Sequence, residues 1–272
     1  MRLRNLVTVL AALSALVLAS AAKAQDSVLD TVKKTGVLKV CFAQGTPDNY
    51  KDPKTGNWTG VMVDLVDQMA TLMKVKVQPV EVSWDVAVLS LEQGACDLFG
   101  SSIVFTVPRA MEVDFIRPFG AKGDNVVIPK DNPKHFKTPS DLNNPNVTLV
   151  AVLGTREQDT AQRLFPKAKI LAVKPQSDIQ IVEQVRNGDA DAAVLPAITV
   201  TWWARVPDNA AWGKAGFPGN DFGNAPNGWA IRYGDPRWKD FLDSYSGWVA
   251  SNNQSANLYN AYMERTNPFQ AK

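Results

Sequence analysis

Histidine is almost absent from the 272 residues: the only one, His135, sits in the Pro-bounded polar stretch Asn-Pro-Lys-His-Phe-Lys. Hydrolysis through Ser-His-Asp or Cys-His would have to use that residue, and its setting reads as a solvated loop. Cysteine is as scarce. Cys41 and Cys96 lie far apart with no C-x-x-C and no His cluster beside them, so a zinc or redox site has no ligand set. Export would permit a disulfide, but each Cys lies in or beside a strand-like apolar run, and free buried thiols are the expectation. Neither G-x-x-x-x-G-K-[ST] nor G-x-G-x-x-G after a strand occurs; this excludes nucleotide chemistry, and no cofactor is expected.

Long apolar runs are missing after the first two dozen residues. Arg2 and Arg4 precede an apolar stretch over 6–19, and Ala22-Lys23-Ala24 offers the small-x-small pattern of a cleavage site. Residues 1–24 therefore read as a signal peptide, and the product is expected to be soluble and exported. Without Arg2, Arg4 and Lys23 the chain keeps 26 basic against 27 acidic side chains. With no basic block, it has no electrostatic footprint for nucleic acid.

What is present is alternation. Val37-Leu38-Lys39-Val40-Cys41-Phe42 reads as a buried strand, residues 43–58 as a polar loop, and Val61, Leu65, Met69 and Leu72 recur at helical spacing. Val75, Val77, Val80 and Val82 give a second strand, which Pro79 marks as an edge. A helix capped by Ser83 and ended by Gly94 leads to a third strand at Asp97-Leu98-Phe99. The pattern repeats after a strand at 125–129, with strands at 148–153, 170–173 and 190–195 separated by helices at 155–165 and 179–186. Two βαβαβ blocks predict an α/β protein of two parallel-sheet lobes. A strand at 229–232 and two helices at 237–251 and 256–265 close the chain.

Several segments taken in order carry a family resemblance: Trp58-Thr59-Gly60-Val61-Met62-Val63-Asp64-Leu65, Leu91-Glu92-Gln93-Gly94-Ala95-Cys96-Asp97, Ser101-Ser102-Ile103-Val104-Phe105-Thr106-Val107-Pro108-Arg109, Gly154-Thr155-Arg156-Glu157 and Asn187-Gly188-Asp189-Ala190-Asp191-Ala192. With them the chain resembles the periplasmic solute-binding proteins of polar amino-acid ABC importers, family 3. The resemblance implies a type II periplasmic-binding-protein fold, two α/β lobes joined by two crossover strands, closing on a ligand. Lobe 1 would comprise 25–120 and 226–272, lobe 2 would comprise 124–222, and the crossovers would fall near 119–123 and 224–228. A monomer is expected, with an inner-membrane ABC permease as partner.

By the same resemblance, Arg109 forks onto a ligand carboxylate, helped by backbone groups of Ser102 and Val104. Read without it, Arg109 and Glu112 fit a surface ion pair at i+3. Thr155 and Arg156 open a helix whose N–H groups can face an anion, and Thr155 with Gln158 also fits a capping box. Arg156 is either a second cation for the ligand or a solvated helix-start side chain. Family carboxylates that meet a ligand ammonium fall here at Ala43 and Pro196, which cannot accept a charge. The expectation is therefore a carboxylate-bearing ligand without an α-ammonium, or an amino acid held by a substitute among Asp48, Glu157 and Asp221. Tyr50, Trp84, Trp202 and Trp203 are candidate apolar walls for an organic body.

Some relatives are cyclohexadienyl dehydratases, which Lys169-Ile170-Leu171-Ala172-Val173-Lys174-Pro175 resembles. Such an enzyme needs a general acid, and residues 194–200 hold no carboxyl group, so a binding protein is preferred to an enzyme. A sensor or accessory binding protein without a transport role shares the same fold and cleft.

Overall fold

The computed structural model describes residues 26–175 and 177–264; the expected signal peptide lies outside them. Among the described residues twelve strands are formed: β1 (Val37–Phe42), β2 (Tyr50–Lys51), β3 (Trp58–Thr59), β4 (Lys76–Glu81), β5 (Leu98–Val104), β6 (Asp114–Phe115), β7 (Gly120–Pro129), β8 (Thr148–Val152), β9 (Lys169–Val173), β10 (Ala192–Pro196), β11 (Gly213–Ala215) and β12 (Phe222–Ile231). Ten of them make one sheet in the order β4-β1-β5-β12-β7-β10-β8-β9, with β6 beside β12 and β11 beside β7. Pro79 lies in β4 at the sheet edge, where its missing N–H costs no ladder bond.

The two parallel blocks are present, but the sheet is mixed and continuous rather than two separate parallel sheets. β1 runs parallel to β4 and β5, and β8 runs parallel to β9 and β10. Between these blocks β7 and β12 pair antiparallel, from Phe222 opposite Asp124 to Asn227 opposite Gly120, with a register shift between Phe222 and Ala225. The chain crosses twice between the halves, once along each of these strands, which is why their pairing is antiparallel.

Each half has its own core. Helix Val61–Met73 buries Val61, Met62, Leu65, Val66 and Met69 along one face, and the C-terminal helices bring Tyr245, Val249 and Tyr262 against them. In the other half Val126, Leu149, Ala151, Ala161 and Val194 pack on one side of the sheet, and Val127, Val150, Val182 and Trp203 on the other. A sheet covered on both faces requires strands with continuous apolar runs, which β8 and β10 have.

The expectation of free thiols is overturned. Cys41 and Cys96 form a disulfide, with their Cα atoms 5.6 Å apart. Cys41 is the penultimate residue of β1, and Cys96 lies two residues before β5, its parallel neighbour. Both side chains are fully buried in one cluster with Ala87, Leu91 and Phe99. The apolar setting that suggested isolated thiols is the setting that holds the two sulfur atoms together.

Candidate functional site

The carboxyl ends of the parallel strands converge on one cavity, the place where open α/β sheets bind ligands. The loop after β1 supplies Gln44, Gly45, Thr46, Asp48 and Asn49, and the end of β5 supplies Ser102 and Val104. Facing them are Val152 at the end of β8, Thr155, Arg156 and Glu157 at the following helix start, Asp178 beyond β9, and Val194, Leu195 and Pro196 of β10. Trp84, Arg109 and Lys122 complete the lining of a space of about 600 Å³, counting open water at its mouth.

Arg109 follows β5 on a short helix, Val107–Ala110, where Thr106 accepts its backbone N–H and Pro108 sets the first turn. Its Nη1 donates to the Val104 carbonyl and its Nη2 to the Gly154 carbonyl, each at 3.1 Å. The second bond crosses from one half of the molecule to the other. Carbonyls, not Glu112, are its partners, and no described carboxylate forms an ion pair with it. Burial lowers its pKa, an effect that Glu157 and Asp159 oppose. A half-buried guanidinium held by neutral acceptors at a cavity has the chemistry to receive an anion, and its planar fork has the geometry of a carboxylate.

The other cations are already matched. Arg156 is 4% exposed and forks onto Asp124 of β7, with Nη1 2.8 Å from Oδ2 and Nη2 on Oδ1. It also donates to the Gly223 carbonyl at 2.9 Å and to Glu157 at 3.2 Å. It is therefore neither a spare cation for a ligand nor a solvated helix-start residue. Burial pushes the Asp124 carboxyl upward, Glu157 adds to this, and Arg156 opposes both. Lys122, also on β7, pairs with Asp48 and lies 5.0 Å from the centre of the Tyr259 ring. Burial lowers its pKa and Asp48 raises it.

Among the carboxylates, Asp48 is held by Lys122 and by the Tyr259 hydroxyl, and Glu157 pairs with Arg156. Asp178 differs: no ion pair reaches it among the described residues. It is 7% exposed and accepts from Thr46 N at 3.0 Å, Thr46 Oγ1 at 3.2 Å and Ser177 Oγ at 3.4 Å. Burial raises its pKa from 3.8 to about 6, against the Thr46 hydrogen bonds and with a contribution from Glu157. Asp178 was missed in the sequence. The available signal was its position in the loop after a parallel strand, on the side where ligands bind.

Thr155 is the N-cap of helix Arg156–Leu164, its side chain accepting from Gln158 N at 3.4 Å. Gln158 reaches back one residue further than a capping box requires, accepting the Gly154 N–H at 2.8 Å. Gly154 has φ +79, and a Cβ there would lie 2.6 Å from Asp85 Cα in the other half. Ser102 N donates to Asn49 Oδ1 at 3.4 Å, and Ser102 Oγ accepts from Asn227 at 2.8 Å.

Trp84 and Pro196 line the cavity, the indole N–H donating to the Gln44 carbonyl at 2.6 Å. Ala43 does not: it is fully buried behind Asn49, whose amide donates to its carbonyl. Tyr50 is buried, its ring 6.3 Å from that of Trp202, and neither borders the cavity. Trp203 packs on Trp212 in the core, and Asp221 accepts from Asn125 at 2.8 Å away from the cavity. Across the cleft, Thr199 donates to the Thr46 carbonyl and Lys174 reaches Asp85 at 2.8 Å.

Residues 38–265 match the model of the bacterial extracellular solute-binding proteins, family 3. A cyclohexadienyl dehydratase of Pseudomonas aeruginosa is 28% identical over 204 residues, 75% of each chain. An ancestral amino-acid-binding protein, described as a precursor of cyclohexadienyl dehydratase, superposes with a TM-score of 0.77 at 30% identity, covering 88% of this chain and all of that one. A protein of Wolinella succinogenes assigned as an ABC-transporter binding component, complexed with lysine, gives a TM-score of 0.76 at 29% identity, covering 85% and 97%.

Proposed function

The chain belongs to family 3 of the bacterial extracellular solute-binding proteins, and on that premise we propose that it is a periplasmic receptor of an ABC importer that closes on a small carboxylate-bearing solute. The observation that carries this reading is Arg109, half-buried at the cavity, bonded to carbonyls of both halves and in no ion pair among the described residues. The relatives solved with or named for amino acids favour an amino acid over an inorganic anion, and the Trp84 wall suits an organic body. Of the described residues, lobe 1 takes 26–120 with 226–264 and lobe 2 takes 124–222, and closure bends the β7/β12 pair between them. The protein acts as a monomer delivered to the periplasm, and an inner-membrane permease receives the solute. The test is a thermal-shift screen of refolded, ligand-stripped protein against amino acids and amine-free carboxylates, since binding to the native state raises the midpoint by mass action. A receptor answers to one chemical class and loses the response in Arg109→Ala; no response to any carboxylate sinks the reading.

One observation favours a second reading, a dehydratase on the same fold. Residues 194–200 carry no carboxyl group, yet Asp178 places a protonatable one in the cavity, poised near pH 6 where a general acid works. Incubation with an anionic cyclohexadienyl carboxylic acid, followed by the ultraviolet absorbance of an aromatic product, separates the two. Turnover abolished by Asp178→Asn would establish the enzyme.

A further inference from the structure

Three helices of lobe 1 turn side chains at helical spacing into one open trough that shares no residue with the cavity. Leu29 and Lys33 come from Val28–Thr35, Leu72 and Met73 from Val61–Met73, and Phe241 and Trp248 from Pro236–Ser251. The trough holds about 1150 Å³, counting open water at its mouth. Leu72 is 62% exposed and Trp248 40%, so folding leaves this apolar surface uncovered, and such surfaces mark binding sites. Its hydroxyl groups are engaged elsewhere: Tyr245 donates to the Leu65 carbonyl at 2.7 Å and Ser244 to the Asp240 carbonyl at 2.8 Å.

Size and charge decide what fits. Nine residues line the trough, against roughly 20–30 a side in a specific protein–protein contact, so the occupant has the scale of a small molecule. Lys33 is the one charged residue among the nine, and its ammonium makes no hydrogen bond or ion pair among the described residues. Lys34 stands beside it in sequence, and the Lys76 N–H on the Gly36 carbonyl, at 2.8 Å, brings the end of Val61–Met73 with Lys74 to the same region. No acid lines the trough: Asp30 and Asp243 are engaged by Arg237 and Lys239, and Asp67 and Asp240 lie outside the lining.

We infer that the trough is a second binding site, for a single-chain aliphatic carboxylate whose chain lies along Leu72, Met73, Phe241 and Trp248 and whose carboxylate meets Lys33. A lysine stem covers apolar surface while its head stays at the rim, and methionine adapts to a flexible chain. From Phe241 to Trp248 the helical wall runs about 10 Å, which suits a chain of medium length. The inference is independent of the solute that Arg109 receives.

Titration calorimetry of the refolded, lipid-stripped mature protein with hexanoate, octanoate and decanoate, all below their micelle concentrations, tests it. Affinity should rise roughly fourfold per methylene added, and decanoate should bind at least tenfold tighter than decyltrimethylammonium. Lys33→Gln should remove that preference. Leu72→Asp, at an exposed position, should abolish decanoate binding with an unchanged melting midpoint, and Arg109→Ala should leave it unaltered. A terminally brominated decanoate should quench tryptophan fluorescence in wild type and much less in Trp248→Phe, which locates the chain without disturbing the fold. Absence of saturable binding, or equal affinity for the cationic amphiphile, overturns the inference. Decanoate binding that survives Leu72→Asp, or is lost in Arg109→Ala, places the acid elsewhere and overturns it too. Self-association or sedimentation with phosphatidylglycerol vesicles that Leu72→Asp abolishes, in a protein that does not bind decanoate, would make the trough a contact with a second copy or with a membrane instead.

Discussion

Arg109 and Gly154 belong to different halves of the molecule, and a guanidinium N–H of the first donates to the carbonyl of the second at 3.1 Å. One side chain thus lines the cavity and bonds across it from one half to the other. Arg109→Ala should abolish carboxylate binding, a loss of at least about 100-fold, since a forked charge-assisted pair is worth several kcal/mol. Arg109→Lys keeps the charge but not the fork, and should lose about tenfold or more. Calorimetry of both variants against the ligand found by the thermal screen checks the order.

Asp178 makes the ligand-free protein sensitive to pH. Its carboxyl group is raised from 3.8 to about 6 by burial, so between those values the folded chain holds a proton that the unfolded chain has released. Stability therefore falls as pH rises from about 4 to 6, by roughly 3 kcal/mol from this group, and the penalty persists above pH 6. Asp178→Asn should melt higher than wild type at pH 7.5 without ligand and level with it near pH 4. Thermal melts at the two pH values read the difference directly.

The Cys41–Cys96 disulfide closes a loop of 55 residues in sequence. On the chain-entropy account its removal costs about 4 kcal/mol. A Cys41→Ala, Cys96→Ala double variant should show that loss in denaturant melts, while ligand affinity, which depends on side chains elsewhere, stays within a few-fold.

Arg156 should behave as a structural residue although it touches the cavity. Arg156→Met strands Asp124, which is fully buried, and should destabilise the fold by about 3–5 kcal/mol. Replacing both, as Arg156→Met with Asp124→Leu, should recover most of that. A denaturant melt that shows no loss for Arg156→Met while affinity collapses would reverse the assignment and return Arg156 to the ligand.

The alternation of elements was legible because periodicity is local: β1, the helix Val61–Met73 and both C-terminal helices fall where apolar spacing puts them. The place of Arg109 at the cavity was legible through the segment around it. What stayed hidden depends on sheet order. Cys41 and Cys96 meet because β1 and β5 are neighbours, and Arg156 meets Asp124 because β7 lies across from its helix start. Asp178 accepts from Thr46, a partner in the other half of the chain that spacing cannot reveal. Spacing within the family resemblance placed Pro196 at the cavity, but could not show that the Asn49 amide, and not Ala43, would line it.

The antiparallel β7/β12 pair has a mechanical consequence. Two chains laddered side by side form a ribbon, compliant when twisted or bent out of its plane but stiff in shear, because sliding one strand along the other breaks several hydrogen bonds together. The register shift between Phe222 and Ala225 adds a local bend to that ribbon. Any relative movement of the two halves would follow that soft direction, as in a leaf spring rather than a tether. In this structure Gly154 already meets the backbone of Asp85, with no space for a side chain between them. A stop made of backbone against backbone would fix the width of the gap that a bound molecule has to fit.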